Sequence, residues 1–185
     1  MGTDKTYTLA EWLPHALREA EVQQHLDDLA ELLKQAVEGG ASVNFVLPFT
    51  REEARQYWVE NVLPGVLSRK TRALFAWSNG TIVGTVLLML APQPNQQHRA
   101  DVGKMLVLPA FRRQGIARAL MVAIEELARE EERTLLTLDT NFDSHALPLY
   151  QSVGFQVLGT IPRFSRNALE DRLDGATFLY KELAP

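Results

Sequence analysis

The 185 residues contain no cysteine. That excludes a disulfide framework, a thiolate metal site and a thiol nucleophile. Positive charge is not in surplus either: 19 Lys and Arg stand against 23 Asp and Glu, a formal net charge of -4. A general nucleic-acid binder would favour a basic surface, so that class is set aside. No apolar run approaches the roughly 20 residues that span a bilayer. The longest, residues 82–91, is strand length and includes Gly84 and Thr85. The four histidines, His15, His25, His98 and His145, have no metal-ligand spacing, so no metal site is expected. A secretory pattern, internal repeats, low-complexity tracts and linkers are missing as well. Residues 1–6, MGTDKT, match the myristoylation template M-G-x-x-x-[ST], a pattern short enough to arise by chance. With 46% hydrophobic and 23% charged residues, the chain reads as one soluble, cytoplasmic domain over residues 1–185.

What is present concentrates in residues 104–131. Met105, Leu106, Val107 and Leu108 end an apolar strand, and Pro109, with no N–H, stops its ladder. From Ala117 the apolar residues fall at Leu120, Met121, Ile124, Leu127 and Ala128, a helical stripe. Between strand and helix lie Arg112, Arg113, Gln114, Gly115 and Ile116. The first N–H groups of a helix lack intrahelical partners, and its dipole favours negative charge there. Gly115 removes a Cβ where an anion would approach the backbone, and Arg112, Arg113 and Arg118 add charge. The expected ligand is a phosphate or pyrophosphate.

The rest of the chain gives a mixed α/β order. A helix is expected from Glu11 or Pro14 to Glu38, closed by Gly39 and Gly40. Thr50 and Glu53 form a capping box for a second helix reaching Leu63, where Pro64 and Gly65 interrupt it. Trp58 sits on its apolar stripe and is assigned to the core; Tyr57 is a core or cleft-wall residue. Residues 72–78 and 81–90 are strands joined by an Asn79-Gly80 hairpin turn. Residues 100–108 and 134–140 are further strands, parallel to each other because a helix connects them. A short helix over residues 144–153 starts as late as Leu147 because of Pro148. Strands over residues 155–161 and 176–182 follow, with a polar loop over residues 162–175. The order is α-α-β-β-β-α-β-α-β-β, a mixed sheet flanked by helices.

Val107-Leu108-Pro109 followed by Arg112-Arg113-Gln114-Gly115-Ile116-Ala117 resembles the central motif of the GNAT acetyltransferases, [Q/R]-x-x-G-x-[G/A] after V-x-P. Ala117 stands where many members have Gly. Residues 149–155, LYQSVGF, resemble the family's L-Y-x-x-x-G-F. Residues 136–140 and 159–164, with Tyr180-Lys181, resemble the tabtoxin-resistance type of GNAT protein. The resemblance runs from about Phe45 to the C-terminus. It implies a GNAT-like sheet with an additional first strand near residues 6–9. It implies acetyl-CoA as cosubstrate, its pyrophosphate on the backbone of Arg112, Arg113, Gln114, Gly115, Ile116 and Ala117. Its pantetheine arm would lie on the strand at Met105, Leu106 and Val107, with Val107 or a neighbour supplying an N–H to the thioester oxygen. Tyr150 would be the general acid and Asp139 the base or amine anchor. Dimerisation is common in the family.

The chemistry of acetyl transfer to an amine fits these residue types. A free alkylamine with a pKa near 10.4 is neutral in roughly one molecule in 2,500 at pH 7, a deficit of about 4.6 kcal/mol. A base, or a pocket that lowers the amine pKa, offsets it. A phenol donates a proton to the leaving thiolate. Asp139 lies at a carboxyl strand end, where ligands gather in α/β sheets; its other reading is a turn hydrogen bond. Asn141 is a candidate for the pantetheine arm, against a turn role; Lys104 and His98 are candidates for substrate contact. The expected activity is N-acetylation of a primary amine, small-molecule or antibiotic-like, by direct transfer, since no cysteine can carry the acetyl group; a small amine, an amino acid, an antibiotic and a protein N-terminus all stay open as acceptors. The alternative is a non-catalytic acyl-CoA-binding sensor, which would keep the turn and lack turnover. A nucleotide-binding domain has neither G-x-x-x-x-G-K-[ST] nor G-x-G-x-x-G to support it.

Overall fold

The computed structural model describes residues 7–184. The 1–6 template, and Thr6 of the expected first strand, lie outside them. Seven strands form one sheet: β1 (Thr8–Glu11), β2 (Thr71–Ser78), β3 (Thr81–Leu90), β4 (Arg99–Val107), β5 (Leu135–Asn141), β6 (Gln156–Arg166) and β7 (Leu173–Glu182). Their spatial order is β1-β2-β3-β4-β5-β7-β6. The helices are α1 (Glu19–Glu38), α2 (Arg51–Tyr57), α3 (Leu63–Leu67), α4 (Ile116–Glu130) and α5 (Leu147–Ser152). β4 and β5 pair in parallel, as a connecting helix requires, and the remaining pairs are antiparallel. Among the described residues no helix is long and apolar enough to cross a membrane.

The sheet separates two cores. On one face α1 buries Leu26, Leu29, Leu33 and Val37 against Phe75, Ile82 and Leu87. On the other, α4 buries Ile116, Leu120 and Ile124 against Val83, Val86 and Val102. Each such side chain contributes roughly 1.5–3 kcal/mol, more than helix propensity does, so packing holds these helices. Gly84 sets how closely α4 can lie. A Cβ there would meet the Leu106 carbonyl oxygen at 3.1 Å and Ile116 Cγ2 at 3.2 Å. Trp58 is in the core as expected, fully buried, and its Nε1–H donates to the Leu29 carbonyl at 2.9 Å.

Four boundaries differ from the sequence reading. The first segment is not one long helix: β1 pairs with β2, Pro14–Ala16 is a 3-10 turn, and α1 starts at Glu19. β1 has little pattern of its own. It is held by pairing and by Arg72, buried in β2, whose Nη2 reaches Glu11 Oε2 at 2.8 Å and which also pairs with Glu131 beyond α4. Pro64 does not end the second helical segment. The turn before it widens to a π-helix, Trp58–Val62, and α3 continues. Proline supplies no N–H and its ring displaces the carbonyl four residues back, so the widened turn absorbs it. The loop expected over residues 162–175 is mostly strand, because β6 runs to Arg166 and β7 starts at Leu173. β6 is a sheet edge, exposed along almost its whole length, so it shows no alternation. Its register with β7 also shifts between Ile161 and Ser165.

Candidate active site

β4 and β5 touch only at their starts, where Arg99, Ala100 and Asp101 face Leu135, Leu136 and Thr137. Beyond that point the strands diverge, and β5 is zipped to β7 instead. The gap is the mouth of a cleft of about 1580 Å³. From Val102 to Val107 the edge of β4 away from β3 has no strand partner. The β3–β4 register also shifts: Thr85 faces Leu106 but Leu87 faces Gly103, so β4 carries one extra residue. Lys104, in this bulge, has φ 48°, a left-handed conformation unusual for lysine. Met105, Leu106 and Val107 thus present backbone to the cleft. The Leu106 side chain is buried in the α1-side core, so it can offer a ligand backbone only.

The Arg–Gly turn closes one end of the cleft. A short 3-10 turn, Pro109–Phe111, leads through Arg113 at φ 62° to Gly115 at φ 83°, the N-cap of α4. The nearest atom to a Cβ at Gly115 would be the Tyr7 hydroxyl at 3.9 Å. Backbone conformation and open approach, rather than crowding, are what require glycine there. Buried Ile116 pins the helix start to the core, so the first amides of α4 are fixed in direction. Arg112 Nε donates to the Val107 carbonyl at 3.3 Å, and Arg118 Nη2 donates to Ser152 Oγ at 2.8 Å, linking α4 to α5. Arg112, Arg113, Gly115, Ile116 and Ala117 line the cleft. Gln114 does not; its Nε2 donates to the Ala110 carbonyl at 3.3 Å and braces the turn. A strand edge, a glycine N-cap and two exposed arginines fit a long ligand with a pyrophosphate end.

Tyr150 and Asp139 stand in the same cleft. Tyr150, on α5, packs its ring edge-on to Phe155 at 6.2 Å, and its hydroxyl has no hydrogen-bond partner among the described residues. Burial, and secondarily the Asp139 charge, pushes its pKa up to about 12. It therefore stays protonated and available as a donor across the neutral range. Asp139, near the end of β5, opens to the cleft at its surface but is walled by protein around it. That enclosure raises its pKa; Lys104 opposes the shift and Asp101 adds to it.

Lys104 projects to the α1–α2 side. Its Nζ donates to the Val43 carbonyl at 3.2 Å and lies 5.1 Å from the centre of the Tyr57 ring. Burial lowers its pKa and Asp139 opposes this. Tyr57, at the last turn before the π-helix, is a cleft wall, with its pKa pushed up to about 12 by burial. At the floor, Asp101 accepts from the Thr137 hydroxyl and from Arg99 Nη1 at 2.9 Å. Sequence reasoning missed this trio; its only signal was Asp101 and Thr137 at the start of strands expected to lie side by side. His98 is exposed and is not among the cleft-lining residues, and its carbonyl accepts from Thr134 and Leu135. Asn141 borders the cleft, but its Nδ2 donates to Asp174 at 3.0 Å and its Oδ1 accepts from the Asp143 N–H, the turn arrangement.

The profile described as Acetyltransferase (GNAT) family matches residues 26–155. An uncharacterised N-acetyltransferase encoded in the hisH–hisA intergenic region of Azospirillum brasilense is 36% identical over 117 residues, 62% of this chain and 67% of that one. N-acetyltransferase 8 of Rattus norvegicus is 31% identical over 129 residues, 62% of this chain and 58% of the relative. Among solved structures, an N-acetyltransferase from Staphylococcus aureus Mu50 has a TM-score of 0.78 at 17% identity, covering 96% of this chain and 99% of that one. Likewise yncA of Salmonella typhimurium, solved with its cofactor acetyl-CoA, has a TM-score of 0.73 at 16% identity, covering 97% and 95%. At such identities the structural likeness speaks to the fold. With the profile covering most of the chain and the splayed strands, bulge and glycine turn in place, the protein belongs to the GNAT family of N-acetyltransferases.

Proposed function

We propose that this protein moves the acetyl group of acetyl-CoA directly to a primary amine on a small molecule, both substrates being bound at once. The observation that supports this best is the sharing of one cleft by four features. These are the open β4 edge, the amides of the Gly115 turn, a protonated Tyr150 hydroxyl and the Asp139 carboxylate. The Gly115 turn holds the pyrophosphate, and the edge at Met105–Val107 orients the arm so that the thioester lies near the bulge. Asp139 anchors the acceptor ammonium and takes its proton, so that the neutral nitrogen attacks the thioester carbonyl. A β4 backbone N–H stabilises the charge that develops on oxygen. When the C–S bond breaks, Tyr150 protonates the departing sulfur, and the second proton leaving the new amide nitrogen restores the phenol. No cysteine is present to carry the acetyl group between two half-reactions.

The test is calorimetric titration with acetyl-CoA, with ATP and NAD as controls, followed by CoA-release assays over an amine panel. Selective binding of acetyl-CoA in the micromolar range, with CoA released on adding an amine, is expected. Equal binding of all three ligands would mean the turn is a general anion site. Tight acetyl-CoA binding with no release from any amine would favour the sensor reading.

A further inference from the structure

Two opposite charges face the cleft without pairing. Lys104 belongs to no ion pair among the described residues: its contacts are the Val43 carbonyl at 3.2 Å and the face of Tyr57. Asp139 likewise belongs to none, although the two charges feel each other across the gap. Among the other cations, Arg112 reaches Gly39 at the end of α1 from the glycine turn, and two are committed to carboxylates. Arg99 is held by Asp101 at 2.9 Å, and Arg172 by Asp174 at 2.9 Å and Glu170 at 3.2 Å. An ammonium withdrawn from water is costly unless an anion meets it. Lysine has a flexible stem that could swing toward a neighbouring carboxylate. Here it is tied instead to the loop after α1, and its own backbone is held at φ 48° in the bulge.

We infer that the acceptor is a zwitterion, an amino acid-like molecule whose ammonium lies against Asp139 and whose carboxylate, or an equivalent anionic group, lies against Lys104. This deepens, and rests on, the acetyltransfer reading above. The geometry suits it. Lys104 immediately precedes Met105, where the cosubstrate's arm is placed, and it points to the α1–α2 side, onto the Val43 carbonyl and the Tyr57 ring. An anionic group bound there leaves the amine free to reach the thioester side of β4. Tyr57 supplies an apolar wall for the body of the acceptor and, through its ring, fixes where the ammonium of Lys104 sits. Lys104 is a specificity residue in this scheme and takes no part in proton transfer.

The experiment compares matched acceptors that differ only in the anionic group: L-methionine and L-methioninamide, L-phenylalanine and its amide, and γ-aminobutyric acid and its amide. CoA release is followed for the wild type and for Lys104→Met, which keeps the apolar stem. The ratio of kcat/KM for acid over amide is taken in each protein. Dividing one ratio by the other cancels the intrinsic reactivity of the two amines. Loss of one charge-assisted contact should change this double ratio roughly 10- to 100-fold for the preferred acid, through KM rather than kcat. Acetyl-CoA affinity should be unchanged in Lys104→Met, which verifies the fold. Lys104→Arg should restore part of the acid preference. A double ratio near one overturns the inference, as does turnover of amides or simple amines with none of the acids. Normal acetyl-CoA binding with no turnover of any pair overturns the acceptor class while leaving the cosubstrate site standing. Failure of the wild type to bind acetyl-CoA overturns both.

Discussion

Along β4 the cleft has two halves made of different material. Toward α4 it is backbone: an unpaired strand edge over residues 102–107, then amides at a glycine N-cap. Toward α1 and α2 it is side chains: Tyr57, Lys104, Asp139 and the Asp101–Thr137–Arg99 trio, drawn from three segments. A backbone half tolerates many sequences so long as φ and the register are kept, which suits a part shared by every reaction the fold runs. A side-chain half can be changed one residue at a time, which suits recognition of one acceptor. The two halves should therefore fail differently when mutated. Backbone damage should appear in acetyl-CoA affinity, and side-chain damage in acceptor turnover with that affinity intact.

The largest effect is expected where the halves meet. Tyr150→Phe keeps the ring packed against Phe155 and removes only the hydroxyl. A positioned general acid contributes about 10²- to 10⁴-fold, so kcat should fall by that order while acetyl-CoA affinity holds. Unchanged turnover would remove Tyr150 from the chemistry. Next comes Gly115→Glu, which puts a side chain at φ 83° and a negative charge beside the first amides of α4. Losing a charge-assisted hydrogen bond costs about 1.5–3 kcal/mol, so acetyl-CoA binding should weaken roughly 10- to 100-fold. Native affinity in this variant would mean that the ligand does not approach the turn.

The smallest effect on binding, and the sharpest contrast, is expected from Asp139→Asn. Its pKa is raised by enclosure, so the fold prefers the neutral acid. The stability contribution of that preference is fully present below the unfolded pKa and is lost as pH rises through the folded one. At pH 7 the ionised carboxylate is thus a net cost to folding, and Asp139→Asn should raise Tm. The gain should shrink as pH is lowered through the carboxylate range. Turnover should fall at the same time, with the acidic limb of the kcat/KM profile altered and acetyl-CoA affinity kept. A lower Tm at pH 7 would make Asp139 a structural turn residue.

How far each half could be read in the sequence follows from how it is made. The Arg112–Ala117 turn and the helix stripe after it are contiguous, so spacing alone located them; the LYQSVGF segment is contiguous too, but its resemblance to the GNAT L-Y-x-x-x-G-F is what singled it out. The Asn79-Gly80 hairpin and the Thr50–Glu53 cap were legible for the same reason, and both form as read: Asn79 and Gly80 have φ of 50° and 77°, and Glu53 accepts from the Thr50 N–H at 2.7 Å. β1 was faint because its four residues are held by Arg72 and β2 from more than sixty positions away. The extent of β6 was hidden because an exposed edge strand carries no hydrophobic alternation.

Local sequence, then, determined most of the elements and the glycine turn before α4, because capping, positive φ and helical periodicity act over a few residues. Only the tertiary structure decided the rest of the site. The splay of β4 from β5 depends on β5 finding a better partner in β7, and the bulge at Lys104 depends on its register with β3. The meeting of Lys104 with Tyr57 and Val43 depends on both, together with the π-turn that keeps Tyr57 facing the cleft and Trp58 in the core. These are long-range packing outcomes, and they are what place an unpaired cation and an unpaired carboxylate in the same cleft.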